Sequence, residues 1–123
     1  MARSIKITAG QVEVQAVLND SKTADAIRDA LPISGRANRW GDEIYFSTPV
    51  KLAPDNAKAV VENGDIAYWP PGHAFCIFFG PTPASTGNEI RPASPVNVFG
   101  KITGDAAILK NVKDGEKVTI SAL

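Results

Sequence analysis

The side chains with the most obvious chemical reach are one imidazole and one thiol, His73 and Cys76, the single histidine and single cysteine of the chain. Paired, they would suit nucleophilic catalysis. In an extended segment, however, an offset of three directs two side chains to opposite faces. His73, in the turn Pro70-Pro71-Gly72-His73, therefore reads as a loop side chain and Cys76 as a packed thiol. Asp42, Glu43 and Asp65 are carboxylates of the kind used in acid–base or metal chemistry, but nothing in their spacing fixes a separation, and Gly41-Asp42 and Gly64-Asp65 are turn signatures. No glycine-rich phosphate loop, His-Glu-x-x-His helix or Ser/His/Asp order is present. What is left is a cluster, Arg36, Arg39 and Trp40 beside Gly41-Asp42-Glu43. It reads either as forked donors next to an aromatic surface or as a hairpin whose outward charges pair weakly across strands. No catalytic residue is assigned.

A length of 123 residues fits one domain, taken as residues 1–123, with enough chain to bury a core unaided by metal or disulfide. One cysteine excludes an internal disulfide and any zinc site built on two thiolates. Acidic and basic side chains balance to a formal net charge of +0, so the basic stripe expected of a nucleic-acid binder is missing. Met1-Ala2-Arg3-Ser4-Ile5-Lys6 has no apolar leader region, and no stretch approaches the roughly 20 apolar residues of a membrane span. The expectation is a cytoplasmic protein with no nucleic-acid partner, no membrane partner, no metal and no cofactor.

The elements that must position these residues are mostly strands. Ile5 and Ile7, then Val12, Val14, Ala16 and Leu18, alternate with polar residues across Gly10, which predicts a hairpin. Asn19-Asp20-Ser21 supplies capping side chains for a helix whose Ala24, Ile27 and Leu31 form one apolar stripe, and Pro32 stops it. From Ile33 to Trp40 the alternation sets Ile33, Gly35 and Ala37 against Ser34, Arg36, Asn38 and Trp40. After the Gly41-Asp42 turn, Ile44 and Phe46 face inward and Glu43 and Tyr45 outward. Residues 53–62 stay open between a short helix capped by Asp55 and a strand through Val60-Val61. Asp65 to Trp69 and Ala74 to Phe79 are strands split by Pro70-Pro71, with Phe75, Ile77 and Phe79 on the core face and Phe78 on the other. The Trp69–Pro70 bond is taken as trans, the common isomer. Gly80 to Pro95 is a polar loop stiffened by prolines, the kind that carries binding. Val96 to Ile102, a short helical run after Gly104-Asp105, and a last strand through Val118 and Ile120 complete the pattern. Short strands in this number, with one or two helices, argue for a β-barrel or a sandwich.

Thr23-Ala24-Asp25-Ala26-Ile27-Arg28-Asp29-Ala30-Leu31 resembles the T-A-x-x-[FI]-R-x-[AL]-L helix of cyclophilins, and Val98-Phe99-Gly100-Lys101 resembles the V-F-G-K strand beyond their substrate groove. Gly64-Asp65-Ile66-Ala67-Tyr68-Trp69-Pro70-Pro71-Gly72, with Phe75-Cys76-Ile77-Phe78-Phe79-Gly80-Pro81-Thr82-Pro83, is similar to small prokaryotic cyclophilin-like proteins of uncharacterised function. The resemblance implies a mainly all-β fold, a closed cyclophilin-like barrel of about eight strands with one or two short capping helices and a shallow outer groove.

Cyclophilins catalyse prolyl cis/trans isomerisation, for which a guanidinium must reach the prolyl nitrogen beside an apolar ring pocket. Aligned on the resemblance, the groove histidine falls at Val96, the backbone-gripping glutamine at Ala74 and the pocket phenylalanine at Cys76, so three features are replaced. The arginine corresponds to Arg36 or, with the register slipped by one, to Arg39. The expectation is a groove lined by Arg36, Tyr45, Trp69, Cys76 and Phe78 that binds a peptide or small-molecule ligand without ordinary isomerase activity. The alternatives are a weak or substrate-restricted prolyl isomerase, or an accessory subunit of a protein complex whose Gly80 to Pro95 loop contacts a partner protein.

Overall fold

In a computed structural model, which describes residues 3–123, the strand pattern closes on itself. The first two residues of the Met1-to-Lys6 stretch lie outside the described residues. Strands β1 (Arg3–Ala9) and β2 (Val12–Leu18) form the expected hairpin in register Ile5↔Ala16 and Ile7↔Val14, with Gly10 at φ 58 in the turn, a conformation that favours a residue without Cβ. Helix α1 (Lys22–Ala30) follows, capped by the Ser21 side chain, which accepts from the Ala24 N–H at 3.1 Å. Its Ala24 and Ile27 are buried in the main core. The described cis peptide bond is Leu31–Pro32, after the helix.

Closure comes from one stretch of chain that serves both edges of the sheet. Strand β3 (Ile33–Arg36) pairs with β9 (Lys117–Ala122), and β4 (Asn38–Arg39), one residue on, pairs with β5 (Glu43–Ser47). The remaining strands are β6 (Asp65–Trp69), β7 (Ala74–Phe78) and β8 (Asn97–Thr103). The order is β3-β9-β1-β2-β8-β6-β7-β5-β4, with every ladder antiparallel. Taking the bent β3–β4 stretch as one strand, this is a nearly closed barrel of the kind the resemblance implies; closure removes the exposed edges of an open sheet. The hairpin expected from Ile33 through Phe46 is thus narrower than its sequence pattern, because residues 33–36 pair with β9 and only 38–39 turn back on β5.

The second half is less regular. Residues 53–62 form neither the helix nor the strand weighed for them; they lie in irregular backbone that touches 90–96 through two isolated bridges, Lys58↔Val96 and Val61↔Ile90. Between β6 and β8 the register shifts, with Ile66 opposite Gly100 but Ala67 opposite Val98. That bulge lets Phe99 and Ile102 both reach the core despite their odd spacing. A side chain at Gly100 would sit 2.6 Å from the Val17 carbonyl oxygen, so the bulge needs glycine there. A 3-10 turn, Ala106–Asn111, capped by Asp105, buries Leu109 against the barrel. Inside, Phe46 stacks on Phe75 at 5.2 Å between ring centroids, and Phe75 meets Phe99 edge-on at 5.2 Å. No helix among the described residues is long and apolar enough to cross a membrane.

Candidate functional site

Every residue of β7 is buried, which a strand in a single-layer barrel achieves only if something covers its outer face. Phe75 and Ile77 point into the barrel, as their alternation predicts. Cys76 and Phe78 point out, and there they join a second cluster with Ala67, Val61, Ile90 and Val96. The cover is the chain 58–61 laid against 90–96, held by Lys58 N–H to Val96 O (2.7 Å), Val96 N–H to Lys58 O (3.0 Å) and Val61 N–H to Ile90 O (2.9 Å). The Gly80 to Pro95 loop is therefore not wholly polar surface: Thr82, Ile90 and Pro92 are buried, and the Ser85 hydroxyl accepts from both Thr82 N–H and Arg91 N–H at 3.0 Å.

Where this cover ends, a pocket of about 260 Å³ opens, lined by Trp40, Glu43, Tyr45, Trp69, Pro92, Ala93 and Val96. Glu43 and Tyr45 reach it from the outer face of β5, at the ladder positions opposite Phe78 and Cys76. Trp69 reaches it from the end of β6, and its indole N–H donates to the Ser94 hydroxyl at 2.7 Å, tying the ring to the loop wall. Pro92 and Ala93 form that wall.

Glu43 dominates the electrostatics. Its residue is only 5% exposed although its position is an outward one. Burial pushes its carboxyl from 4.5 up to about 7, with the polar Cys76 thiol beside it acting in the opposite direction. Burial, reinforced by the Glu43 charge, holds the Cys76 thiol well above its ordinary range. Cys76 is thus an inert neutral thiol, and Glu43 is a carboxyl poised to gain or lose a proton near neutrality. A group of that kind can act as a proton carrier or as a counter-charge that exists only when it is needed.

The residues expected to line a groove divide. Tyr45 and Trp69 line the pocket. Cys76 and Phe78 do not: at 1% and 0% exposure they are packed in the second cluster, because the loop seals the outer face of β7. Arg36 points outward but away from the pocket, donating to the Gly115 carbonyl at 3.1 Å from an exposed position. Arg39, the alternative arginine, is held by backbone carbonyls: Gly41 (3.0 Å), Lys110 (3.1 Å) and Val112 (2.9 Å), with its guanidinium 5.1 Å from the Phe79 ring centroid. It clamps the 3-10 turn to the β4–β5 hairpin.

The other chemical side chains separate as well. Asp42 pairs with Arg39 at 3.4 Å; Asp65 accepts from the Glu62 N–H at 2.8 Å and lies 3.6 Å from the Lys101 ammonium, so neither carboxylate joins Glu43. His73, at φ 48 ending a 3-10 turn, places Nδ1 3.1 Å from the Tyr68 hydroxyl. No group of three potential metal ligands occurs among the described residues. Trp40, Glu43, Pro92, Ala93 and Val96 were not among the expected lining residues. Trp40 and Glu43 do share an outward phase with Tyr45 across the turn, a signal present in the sequence. Val96 is the position at which the resemblance aligns the groove histidine.

Comparisons with known proteins bear on the fold and the family. A search of curated proteins finds no match. The solution structure of a hypothetical protein from Archaeoglobus fulgidus is 47% identical over 99% of this chain and 95% of its own, with a TM-score of 0.84. McbB, solved in complex with tryptophan, shares the fold at a TM-score of 0.74 but only 14% identity; the match covers 95% of this chain and 44% of McbB. The family model described as Cyclophilin-like matches residues 3–121, and the chain belongs to that cyclophilin-like family.

Proposed function

We propose that this protein is a small-ligand binding module whose site is the outer-face pocket, and that it lacks ordinary prolyl isomerase activity. The observation that carries the reading is a single ionisable carboxyl, Glu43, set among Trp40, Tyr45 and Trp69 in a concave, otherwise apolar recess. Binding sites usually combine apolar walls with one or two placed polar groups in just this way. A volume of about 260 Å³, at the small end of such sites, favours a compact molecule over an extended peptide. That McbB, on the same fold, is solved with tryptophan is in keeping with an occupant of that size.

Against isomerase chemistry stands the placement of the guanidinium groups. Arg39 has its donors engaged by three carbonyls and Arg36 lies outside the pocket, so neither is placed to reach a prolyl nitrogen held there. Titrating a set of small aromatic and heteroaromatic compounds while following amide resonances tests the binding reading. Shifts should concentrate at Trp40, Glu43, Tyr45, Trp69 and Val96, and a scatter over the β1–β2 hairpin would refute it. A chymotrypsin-coupled assay on several X-Pro peptides should run no faster than buffer. Acceleration abolished by Arg36→Ala or Arg39→Ala would establish the isomerase alternative instead.

A further inference from the structure

We propose that the pocket selects an organic ammonium: its lining brings together three aromatic side chains, Trp40, Tyr45 and Trp69, which attract cations, and one carboxyl, Glu43, which supplies the counter-charge. This assignment rests on the small-ligand reading above and names the ligand's chemistry. Indole and phenol rings carry negative potential on their faces, attract ammonium groups within about 6 Å, and do so most strongly where water is excluded. Three such rings converge on one recess here. Among the described residues, the carboxyl beside them is the only acidic side chain of the lining, and no lysine, arginine or histidine lines it.

The neighbouring cations are held elsewhere. Arg39 binds carbonyls of Gly41, Lys110 and Val112, Arg91 forms two hydrogen bonds to Glu89 at 2.7 and 3.2 Å, and the Lys110 ammonium lies 4.0 Å from Asp42. None of them neutralises Glu43. An anionic ligand would meet a buried carboxyl with no cation in the lining to offset it, which disfavours it. A neutral ligand would gain the apolar walls and a hydrogen bond to the carboxyl, but no charge pairing.

Protonation adds a second property. The titratable groups facing Glu43 are the Cys76 thiol on β7 and the Tyr45 phenol on its own strand; the loop wall, Pro92 and Ala93, carries none. With the thiol held neutral by burial, a change between mildly acidic and neutral pH falls on Glu43. A cation entering the pocket favours the ionised carboxylate, so binding releases a proton and strengthens as pH rises through about 7.

Choline and its uncharged carbon isostere, neohexyl alcohol, separate charge from shape. Titrated into the full chain near pH ~8 and read by the indole N–H resonances of Trp40 and Trp69, choline is expected to bind about tenfold more tightly than the isostere. Glu43→Gln should remove most of that preference, and lowering the pH toward ~5 should weaken choline binding to the native chain but not to the variant. Glutamine copies the shape of the protonated acid, so the variant is expected to fold. Equal affinity for choline and the alcohol, or a preference untouched by Glu43→Gln, overturns the ammonium assignment while leaving a small-ligand pocket in place. Silence of both indoles toward both probes also overturns it, and the compound titration then decides the broader reading separately.

Discussion

The two faces of strand β7 are equally dry, yet they are dried by different means. Phe75 and Ile77 on the inner face are enclosed by a barrel in which β7 itself is held by ladders on both sides, to β5 and β6. Cys76 and Phe78 on the outer face are enclosed by irregular chain, 58–61 against 90–96, joined by two isolated bridges. A continuous ladder cannot open locally without breaking several hydrogen bonds together, whereas a strap can loosen one contact at a time. The inner face therefore serves stability. The outer face can leave a gap at the edge of its cover, and that gap is the pocket holding Glu43. The comparison also shows why an acid tolerates burial here: it sits under a cover that ends beside it rather than within the sealed barrel.

The largest effect expected from this contrast is on core truncation. Phe75→Ala removes a ring stacked on Phe46 and in edge contact with Phe99, and should cost about 3–5 kcal/mol in denaturant unfolding. Phe78→Ala deletes the same ring from beneath the strap, where the cover can settle into the space, and should cost less, about 2–3 kcal/mol. Equal losses would show that the strap is as rigid as the barrel and would break the comparison.

Next in size is the pH dependence of stability. Because the Glu43 carboxyl titrates near 7 when folded and near 4.5 when unfolded, the native state holds more protons between those values. Stability should fall as pH rises from about 4.5 to about 7 and level off above, by at most about 3 kcal/mol, and by less to the extent that water in the pocket solvates the charge. Glu43→Gln should erase that slope and leave the variant more stable than the native chain near pH ~8. Melting temperatures of both proteins at mildly acidic and mildly alkaline pH check this. A native slope unchanged by the substitution would place the acid in water rather than under the strap.

Side-chain direction is legible in the sequence where the chain keeps period two. The inward and outward sets of β1, β2, β5 and β7 follow from alternation alone, as does the helix from its Ser21 cap and apolar stripe. Alternation says which way a residue points but not what it meets. Phe78 was legible as outward, yet its burial depends on Ile90 and Val96, which lie beyond a long loop. Glu43 was legible as outward for the same reason, and its burial was not. Arg39 could not be separated from Arg36 because its partners, the carbonyls of Lys110 and Val112, are some seventy residues away in sequence. Phe99 and Ile102 share the core through a bulge, a one-residue irregularity that breaks the period on which the reading depends. Residues 53–62 carry no period at all, since their order comes from Val96 and Ile90 across the strap.

The smallest expected effect sharpens the contrast most. Trp69→Phe keeps an aromatic ring at the pocket edge but loses the indole N–H that donates to Ser94, one of the fastenings of the loop wall. A single hydrogen bond of this kind contributes about 1 kcal/mol, so global unfolding should move by no more than that. Local opening should respond instead. Amide exchange at Lys58, Val61 and Val96, whose N–H groups hold the strap together, should quicken severalfold, while exchange in the β1–β2 hairpin stays as it was. If the hairpin amides quickened in step with those of the strap, the cover would be opening only when the whole barrel unfolds, and the pocket would belong to the same cooperative unit as the core beneath it.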